Sequence, residues 1–536
     1  MQPDKNIYNT LIETIKDRNG KPVNVRVIYA TIESLGIRDV DVQDDYGFDS
    51  IADLSDHVFE LLNNPSQPPL KNKQQIKEER KESKMLYLSE YSAVRQKLLI
   101  QDYSKGMFHL LPIALQIVAI VLFGYSLWTF VGFNTVQSTA VVLGLIMGLT
   151  ATGGFVQAIS KQVSYYWYHE DYEMTKKSVD YLLKWGVAFL LMLFVVVTAV
   201  NFVLNLYPLL FLLIVFAYAF LIGTLLLVFA PLYTIKRRWI ISVSVFAGTG
   251  VAGLLLFYSS WSIYSIHWLG IAIATGISWV YLHFFLKKTV QSKKGVQNGS
   301  PKLGVLLSRN YNYFLYGTFF YIFIFTDRIL AWSSTQDRIL PYIIYYDKDY
   351  EIGMDLAMLV FFLLAGVLEY SVSSFSRTLE HKQRTIKYTD AKLFNKQMLS
   401  MYYKHLWVFA LNALFIMVLL YFTITQPWGY QAGFDEQISS LSLIVAILGC
   451  VAYLFLTLAL LNVLLLFTLN KSQKPLKALL IACVVNLGVG WWFSRVISYE
   501  YSVIGILAGS VVFMVLTTRM VHAFFKKLDY NYYAAF

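Results

Sequence analysis

Charged residues and cysteines are scarce in this chain of 536 residues. Asp, Glu, Lys and Arg make up 15% of it, whereas a typical soluble domain has about 25%. The two cysteines, Cys450 and Cys483, both lie inside apolar runs, so they indicate neither a disulfide framework nor a cysteine zinc site. The opening stretch MQPDKNIYNTLIETIKDRNG contains no apolar run, so we expect no cleavable signal sequence there.

Apolar residues make up 57% of the chain, and they are concentrated in its larger, C-terminal part. Residues 1–84 have the composition of a soluble segment. From Met107 onward, apolar runs of about 20 residues recur, each long enough to cross a hydrocarbon layer of about 30 Å as a helix. The predicted spans are 107–132, 135–160, 179–205, 208–232, 239–259, 263–286, 311–333, 352–376, 403–426, 439–468, 476–496 and 502–524. The sequence therefore predicts an all-α polytopic membrane protein with a small α-rich N-terminal soluble domain.

Basic residues are distributed unevenly over the connections between these spans. The formal net charge is +11, yet residues 1–84 hold 12 Lys/Arg against 15 Asp/Glu, so the basic excess lies in the membrane part. Lys and Arg are concentrated in alternate connections, while the longest opposite connection, STQDRILPYIIYYDKDYEIG, is acidic. Because Lys and Arg resist translocation, this alternation predicts that both termini are cytoplasmic. The topology explains the net positive charge of the chain, so we do not expect nucleic-acid binding.

A polar linker, QSKKGVQNGSPK, divides the spans into six and six. The predicted parts of the chain are a soluble domain 1–65, a linker 66–84, a juxtamembrane helix 85–106, a first six-helix bundle 107–286, a cytoplasmic linker 287–310, a second six-helix bundle 311–525 and a tail 526–536. Two bundles around a shared cleft are the general plan of alternating-access transporters. The alternative is a twelve-helix scaffold without a transport path.

Four stretches resemble one family of membrane exporters over about residues 90–525. They are VRQKLLIQDYSKGM, GGFVQAISKQVSYYWYHEDYE, YNYFLYGTFFYIFIFTDRILAWSS and LAGVLEYSVSSFSR. In the second, Lys161 stands where the family has Arg; in the third, Asp327 and Arg328 fall on its Asp-Lys pair; in the fourth, Glu369 falls on its Glu. The chain thus resembles the PelG family of exopolysaccharide exporters, which belongs to the MATE- and Wzx-like flippases of the MOP superfamily.

This resemblance implies export of a polysaccharide or a lipid-linked saccharide across the bacterial cytoplasmic membrane, for a biofilm matrix. It also implies partners, namely a cytosolic glycosyltransferase and membrane scaffold subunits, and no cofactor. No nucleophile–base pair, metal-ligand cluster or phosphate-binding glycine loop is evident, so we expect no enzyme activity. Two alternatives stay open: an ion-coupled MATE-type efflux carrier for small cations, and a non-transporting scaffold of a polysaccharide synthase.

The charged residues in the apolar runs are the first candidates for transport or gating. Asp327 lies about 16 residues from the inner end of its span, or about 24 Å, which predicts a position in the outer third of the membrane. Arg328 is either a side chain that extends to the interface or, with Asp327, an outer gate or cavity charge. Glu369 is predicted near the inner interface, paired with Arg377 or another residue of the basic connection between the eighth and ninth spans, and too far from Asp327 to share a site. Such shallow carboxylates argue against ion-coupled efflux.

Polar residues in two spans of the first bundle are candidates for a cavity lining. The candidates are Gln137, Thr150, Thr152, Gln157 and His267. Those of the second span are interspersed with glycines, so close helix packing is the competing interpretation. For His267, a hydrogen bond between helices is the competing interpretation.

The soluble segment contains DDYGFDSIADL, which is similar to the phosphopantetheine-bearing motif of acyl carrier proteins, with Ser50 at the modified position. Ser50 with Asp53 also fits an ordinary N-terminal helix cap. We favour a docking or regulatory domain over a carrier, because little sequence follows in which to build a carrier's remaining helices.

Overall fold

The computed structural model describes residues 5–20, 22, 24–63, 97–98, 100–104, 106–108, 111–292, 303–334, 342–385, 391–468 and 471–533. The chain divides into two compact units, Met1–Arg95 and Gln96–Phe536. The predicted linker 66–84, most of the predicted juxtamembrane helix 85–106, residues 293–302 of the predicted linker 287–310 and residues 534–536 of the tail lie outside the described residues. The described secondary structure is helical, apart from an isolated β-bridge between Tyr125 and Phe130.

Three helices and two short helical turns form the N-terminal unit. The helices are α1 Lys5–Asn19, α2 Val25–Ser34 and α3 Ile51–Asn63. Their apolar residues recur at intervals of three and four, as in Ile51, Leu54 and Val58, and this periodicity gives each helix one face for a common core. Ser50 accepts the backbone N–H of Asp53 at 3.2 Å and donates to its carboxylate at 2.8 Å, so Ser50 caps α3.

Twelve helices in the second unit correspond to the predicted spans, which confirms the predicted fold class. They are α4 Leu111–Phe123, α5 Thr135–Tyr168, α6 Tyr172–Leu204, α7 Leu209–Thr234, α8 Trp239–Tyr258, α9 Ile263–Ser292, α10 Leu303–Ser334, α11 Lys348–Thr385, α12 Ala391–Thr425, α13 Ser440–Thr468, α14 Gln473–Val496 and α15 Val503–Phe525. Eleven are long and apolar enough to cross a membrane as single helices, and α4 meets the preceding helix Ile100–Phe108 at a bend of 57°.

Several helices differ in length from the apolar runs that predicted them. Helix α4 ends at Phe123, well before residue 132, because Gly124 adopts a left-handed backbone (φ 64°) that closes the helix. Helices α10, α11 and α12 begin before their apolar runs, at Leu303, Lys348 and Ala391. Hydropathy ends a span at the first polar residues, whereas backbone hydrogen bonds continue the helix through them.

The two halves of the second unit, α4–α9 and α10–α15, repeat the same helix packing. The second and fourth helices of each half pack together, as α5–α7 and α11–α13, and the last two helices also pair, as α8–α9 and α14–α15. The third helix of each half is the least buried of the helices that are long enough to span a membrane. Only 6% of the most apolar segment of α6 and 22% of that of α12 is buried, so both helices present apolar side chains outward. Each half is therefore a six-helix bundle of the same design.

The bundles meet most extensively along α5 and α10, where glycines bring the backbones together. A Cβ atom on Gly317 would lie 2.3 Å from the carbonyl oxygen of Gly153, and one on Gly154 would lie 2.7 Å from the carbonyl of Phe314. No larger residue fits at these positions without moving a helix. The glycines predicted in the second span thus serve close helix packing.

Candidate functional site

Four charged side chains and two tyrosines form a cluster in the second bundle. Arg328 on α10 is its centre: Nε donates to Glu351 at 2.8 Å, Nη2 donates to Asp355 at 3.4 Å and Nη1 donates to the Tyr453 hydroxyl at 3.4 Å. The Arg328 side chain is 1% exposed and that of Glu351 8% exposed. The guanidinium therefore links α10 to α11 and α13 inside the bundle.

Asp327 belongs to the same cluster and is also buried. Its Oδ2 accepts a hydrogen bond from the Tyr350 hydroxyl at 2.8 Å, while its Oδ1 has no hydrogen-bond partner among the described residues. The second carboxylate oxygen of Glu351, Oε2, likewise has no such partner. Buried carboxylate oxygens normally have hydrogen-bond partners, so these two atoms mark a site with unused acceptor capacity.

The cluster contains three carboxyl groups and one guanidinium, so its charges do not balance when all are ionised. Asp355 connects it to the outside: its side chain is 66% exposed. Between Tyr350 and Phe375, every other residue of α11 is buried or half-buried. Asp355 is therefore the one exposed side chain of α11 between these two residues, and it belongs to the cluster.

The local sequence explains how these side chains come together. Asp347 accepts the backbone N–H of Tyr350 at 2.8 Å, which starts α11 just before the acidic residues, and burial raises the pKa of the Asp347 carboxyl. Glu351 and Asp355 are four residues apart and so lie on one face of the helix. On α10, Asp327 and Arg328 point about 100° apart. Two adjacent residues of α11 nevertheless contact them: Tyr350 donates to Asp327, and Glu351 accepts from Arg328.

The prediction that Arg328 extends to the membrane interface is wrong, because its guanidinium lies inside the bundle. The position of Asp327 in the outer third of the membrane stays a prediction; the structure adds that its side chain is buried between helices, at 0% exposure. Sequence reasoning missed Glu351 because it began the eighth span at residue 352 and assigned Glu351 to the acidic loop before it. It missed Asp355 as well, although that residue lies inside the predicted span 352–376. Their spacing of four residues beside a long apolar run was the signal that could have found them.

Glu369 lies elsewhere, near what we term the basic end of the unit, defined by Arg237, Arg238, Lys288, Arg309 and Arg377. Its carboxylate is 3.8 Å from Arg238 in the turn between α7 and α8, so the pair joins the two bundles. Arg377 instead pairs with Asp102 at 2.5 Å, which joins α11 to the helix before α4. The predicted neighbourhood of Glu369 was right in being basic, but the partner that the structure shows comes from the other bundle.

Lys161 lies at the same end, at the contact between α5 and α10. Its ammonium is 5.2 Å from the centroid of the Tyr313 ring. One residue further on, Gln162 accepts a hydrogen bond from buried Asn310 at 2.9 Å. These contacts cross from one bundle to the other, so Lys161 and Glu369 both belong to the bundle interface and neither belongs to the acidic cluster.

Three candidates for a cavity lining have local roles on α5. Gln137 and Asn134 cap the helix reciprocally, with backbone hydrogen bonds of 3.0 and 2.9 Å. Thr152 is buried and donates to the carbonyl of Gly148 on its own helix at 2.7 Å. Thr150 is half-buried.

The other two candidates, Gln157 and His267, lie in different parts of the first bundle. Gln157 lies at the bundle interface, where its Cγ would be 2.7 Å from a Cβ on Gly317. His267 is 0% exposed, and its Nδ1 hydrogen-bonds the Tyr218 hydroxyl at 2.8 Å. Its Nε2 has no hydrogen-bond partner among the described residues. The five candidates thus occupy several environments. In the described part of the chain, no group of three His, Cys, Asp or Glu residues is arranged to hold a metal ion.

The membrane unit has the fold of MATE transporters. A eukaryotic MATE transporter, AtDTX14, superposes with a TM-score of 0.57 at 13% identity, covering 83% of this chain and 99% of that one. The Vibrio cholerae MATE transporter VcmN gives 0.56 at 16% identity, covering 82% and 98%. An inward-facing multidrug resistance MATE transporter of the MOP superfamily gives 0.54 at 10% identity, covering 78% and 99%.

No protein-family model matches the chain, and no curated protein matches it in sequence. The chain is therefore defined by its fold, as a multi-pass membrane protein of MATE-like architecture.

Proposed function

We propose that this protein is an alternating-access transporter, which exposes a cleft between its two bundles to each side of the membrane in turn. The observation that carries the proposal is the repeated packing of two six-helix bundles that meet through glycine backbones and a few polar pairs. Packing within each bundle is extensive, whereas the contact between bundles is concentrated along α5 and α10, where apolar side chains such as Ile146 and Phe314 accompany the glycines and the polar pairs. Relative motion of two such bundles is the usual basis of alternating access.

The substrate that we propose is a polysaccharide or a lipid-linked saccharide, exported across a bacterial cytoplasmic membrane. Support comes from the four stretches that resemble PelG exporters, and above all from FTDRIL. Its Asp327 and Arg328 are buried and bonded to other helices, as expected for residues that shape the bundle. The basic end is then the cytoplasmic end, and the chain works beside a cytosolic glycosyltransferase and membrane scaffold subunits.

A second candidate function is ion-coupled efflux of small cationic compounds, and the acidic cluster favours it. Three carboxyl groups against one guanidinium, with Asp355 exposed, provide an exchange site for H⁺ or Na⁺. An excess of buried negative charge is unstable unless a cation or proton neutralises it. Exchange of H⁺ or Na⁺ at such a site can also drive saccharide export. The cluster therefore supports coupling of transport to an ion gradient more strongly than it supports any one substrate.

A reversible cross-link between the bundles tests alternating access. In a background with Cys450 and Cys483 replaced by Ala, we would introduce Arg238→Cys with Glu369→Cys at the basic end and join them with a bifunctional thiol reagent that contains a cleavable disulfide. The charged groups of this pair lie 3.8 Å apart across the contact between the bundles. The matched control links α8 to α9 within the first bundle, by Ser244→Cys with Ser278→Cys, whose hydroxyl oxygens are 2.7 Å apart.

The readouts are secreted polysaccharide and tolerance to a cationic dye, in cells whose only copy is the variant. We expect the bundle-to-bundle cross-link to stop transport and a reductant to restore it, while the control cross-link has no effect. Loss of polymer secretion supports saccharide export, and loss of dye tolerance alone supports efflux. Secretion that needs the protein but continues through the locked form would contradict alternating access and favour a scaffold.

A further inference from the structure

A surface groove on the first bundle, between α8 and α9, has an apolar lining and one cationic end. Its volume is about 740 Å³, in the range of about 300–1,000 Å³ that is typical of ligand sites. It is lined by Ile240, Gly276, Ile277, Val280, Tyr281, Phe284, Phe285 and Lys288. A Cβ on Gly276 would have no heavy atom within 4 Å, so the middle of the groove is open.

Two cations lie at the end of the groove nearest the basic end of the unit. Lys288 is part of the lining, and the Arg237 guanidinium carbon lies 4.7 Å from the centroid of the Phe285 ring, which is also part of it. Neither cation forms an ion pair within the described part of the chain. Arg238, the neighbour of Arg237, instead approaches Glu369 of the other bundle. The groove thus offers two positive charges above an apolar channel.

An acidic turn also lies near this end of the groove. Trp167 packs against Phe285 with ring centroids 6.0 Å apart and leads into the acidic turn before α6. In that turn, Asp171 accepts the backbone N–H of Met174 at 3.0 Å, and Glu173 pairs with Lys177 at 2.7 Å. Glu170 in the same turn is exposed, but the charged groups that line or touch the groove itself are the cations Lys288 and Arg237.

We propose that the groove binds a phospholipid with an anionic headgroup, with an acyl chain along α8 and α9 and the phosphate at Arg237 and Lys288. Two observations identify this occupant: the residues that line the groove and the aromatic residues beside it. Apart from Tyr281 and Lys288, the lining carries no polar side chain, which excludes a sugar. Trp239 is 47% exposed and packs edge-on against Tyr281 at 5.4 Å, as aromatic residues do at a membrane interface. Basic pockets between membrane helices on the cytoplasmic side recognise anionic headgroups, and the proposed function makes this end the cytoplasmic one.

Native mass spectrometry of the purified full chain tests this proposal, with phosphatidylglycerol and phosphatidylcholine of identical acyl chains as probes. We expect the wild type to retain phosphatidylglycerol in preference. Arg237→Gln and Lys288→Gln should each reduce that preference about fivefold, since a cation near an anionic lipid contributes about 1 kcal/mol. The matched control is Lys287→Gln, on the same helix, exposed and outside the lining, which should leave the preference unchanged.

A second variant, Gly276→Leu, tests the acyl-chain part of the groove without altering charge. Because the groove is open there, the variant should fold normally, eluting as the wild type does on size exclusion, and should lose retention of both lipids at this site. Equal losses for Lys287→Gln and Lys288→Gln would mean a general attraction of lipid to a basic surface and would overturn the proposal. Unchanged retention in Gly276→Leu would overturn it as well.

Discussion

Removing Arg328 is the sharpest test of the acidic cluster, because the structure assigns different costs to its partners. In Arg328→Met, Asp355 is not buried by the protein, since its side chain is 66% exposed, and Asp327 keeps its hydrogen bond from Tyr350. Glu351 has neither compensation, because its side chain is only 8% exposed and it loses its hydrogen bond of 2.8 Å from Arg328. One uncompensated buried charge costs about 3–5 kcal/mol in free energy of unfolding.

Two further variants separate this effect from a general loss of packing. Replacing both partners, as Arg328→Met with Glu351→Met, removes the unpaired carboxylate, and buried pairs replaced by apolar residues are often close to neutral. The double variant should therefore be more stable than Arg328→Met by at least about 2 kcal/mol. The matched control is Lys348→Met, which breaks an exposed pair with Glu436, at 62% and 54% exposure, and should cost at most about 1 kcal/mol.

The assay is equilibrium unfolding in mixed micelles, with increasing sodium dodecyl sulfate and tryptophan fluorescence as the signal. Equal losses for Arg328→Met and Lys348→Met would refute the burial argument. A double variant less stable than the single one would refute the assignment of the cost to Glu351.

Three further predictions concern the bundle contact, the cluster's access route and the soluble unit. Gly317→Ala should destabilise the protein by about 1–3 kcal/mol in the same assay through overpacking against α5, whereas Gly276→Ala, facing open space, should be neutral or stabilising. Carbodiimide labelling mapped by mass spectrometry should modify exposed Asp355 and spare Asp327, and labelling of both would contradict the burial described here. Ser50→Ala should cost the α3 cap about 1 kcal/mol and increase hydrogen exchange in its first turn, and unchanged exchange would argue against the cap.

The membrane spans could be predicted because each is a local property of composition. Apolar runs predicted twelve helices, and the polar linker QSKKGVQNGSPK predicted their division into six and six. The importance of Asp327 could also be predicted, because a carboxylate in an apolar run is costly wherever it lies. The residues that surround Asp327 could not be predicted, because counting residues from the end of a span treats that helix as if it stood alone in lipid. The partners of Arg328 come from residues 23 and 125 positions further along the chain, on α11 and α13.

Contacts between bundles were the hardest to predict for the same reason. Arg238 stands in a basic turn that hydropathy and charge explain fully as a topological signal. Nothing local indicates that it reaches Glu369, which follows 131 positions later in the sequence. Glycines of α5 were an exception, because their spacing alone predicts a close approach, although not which helix approaches.

The repeated packing of the two bundles also determines the order in which this protein assembles. The apolar core of the first bundle is formed by side chains from residues 127–286, so that bundle is complete before α10 has been synthesised. Segments made first generally fold first. The glycine contact between α5 and α10 requires α10, so the first bundle can be built before the contact that joins it to the second.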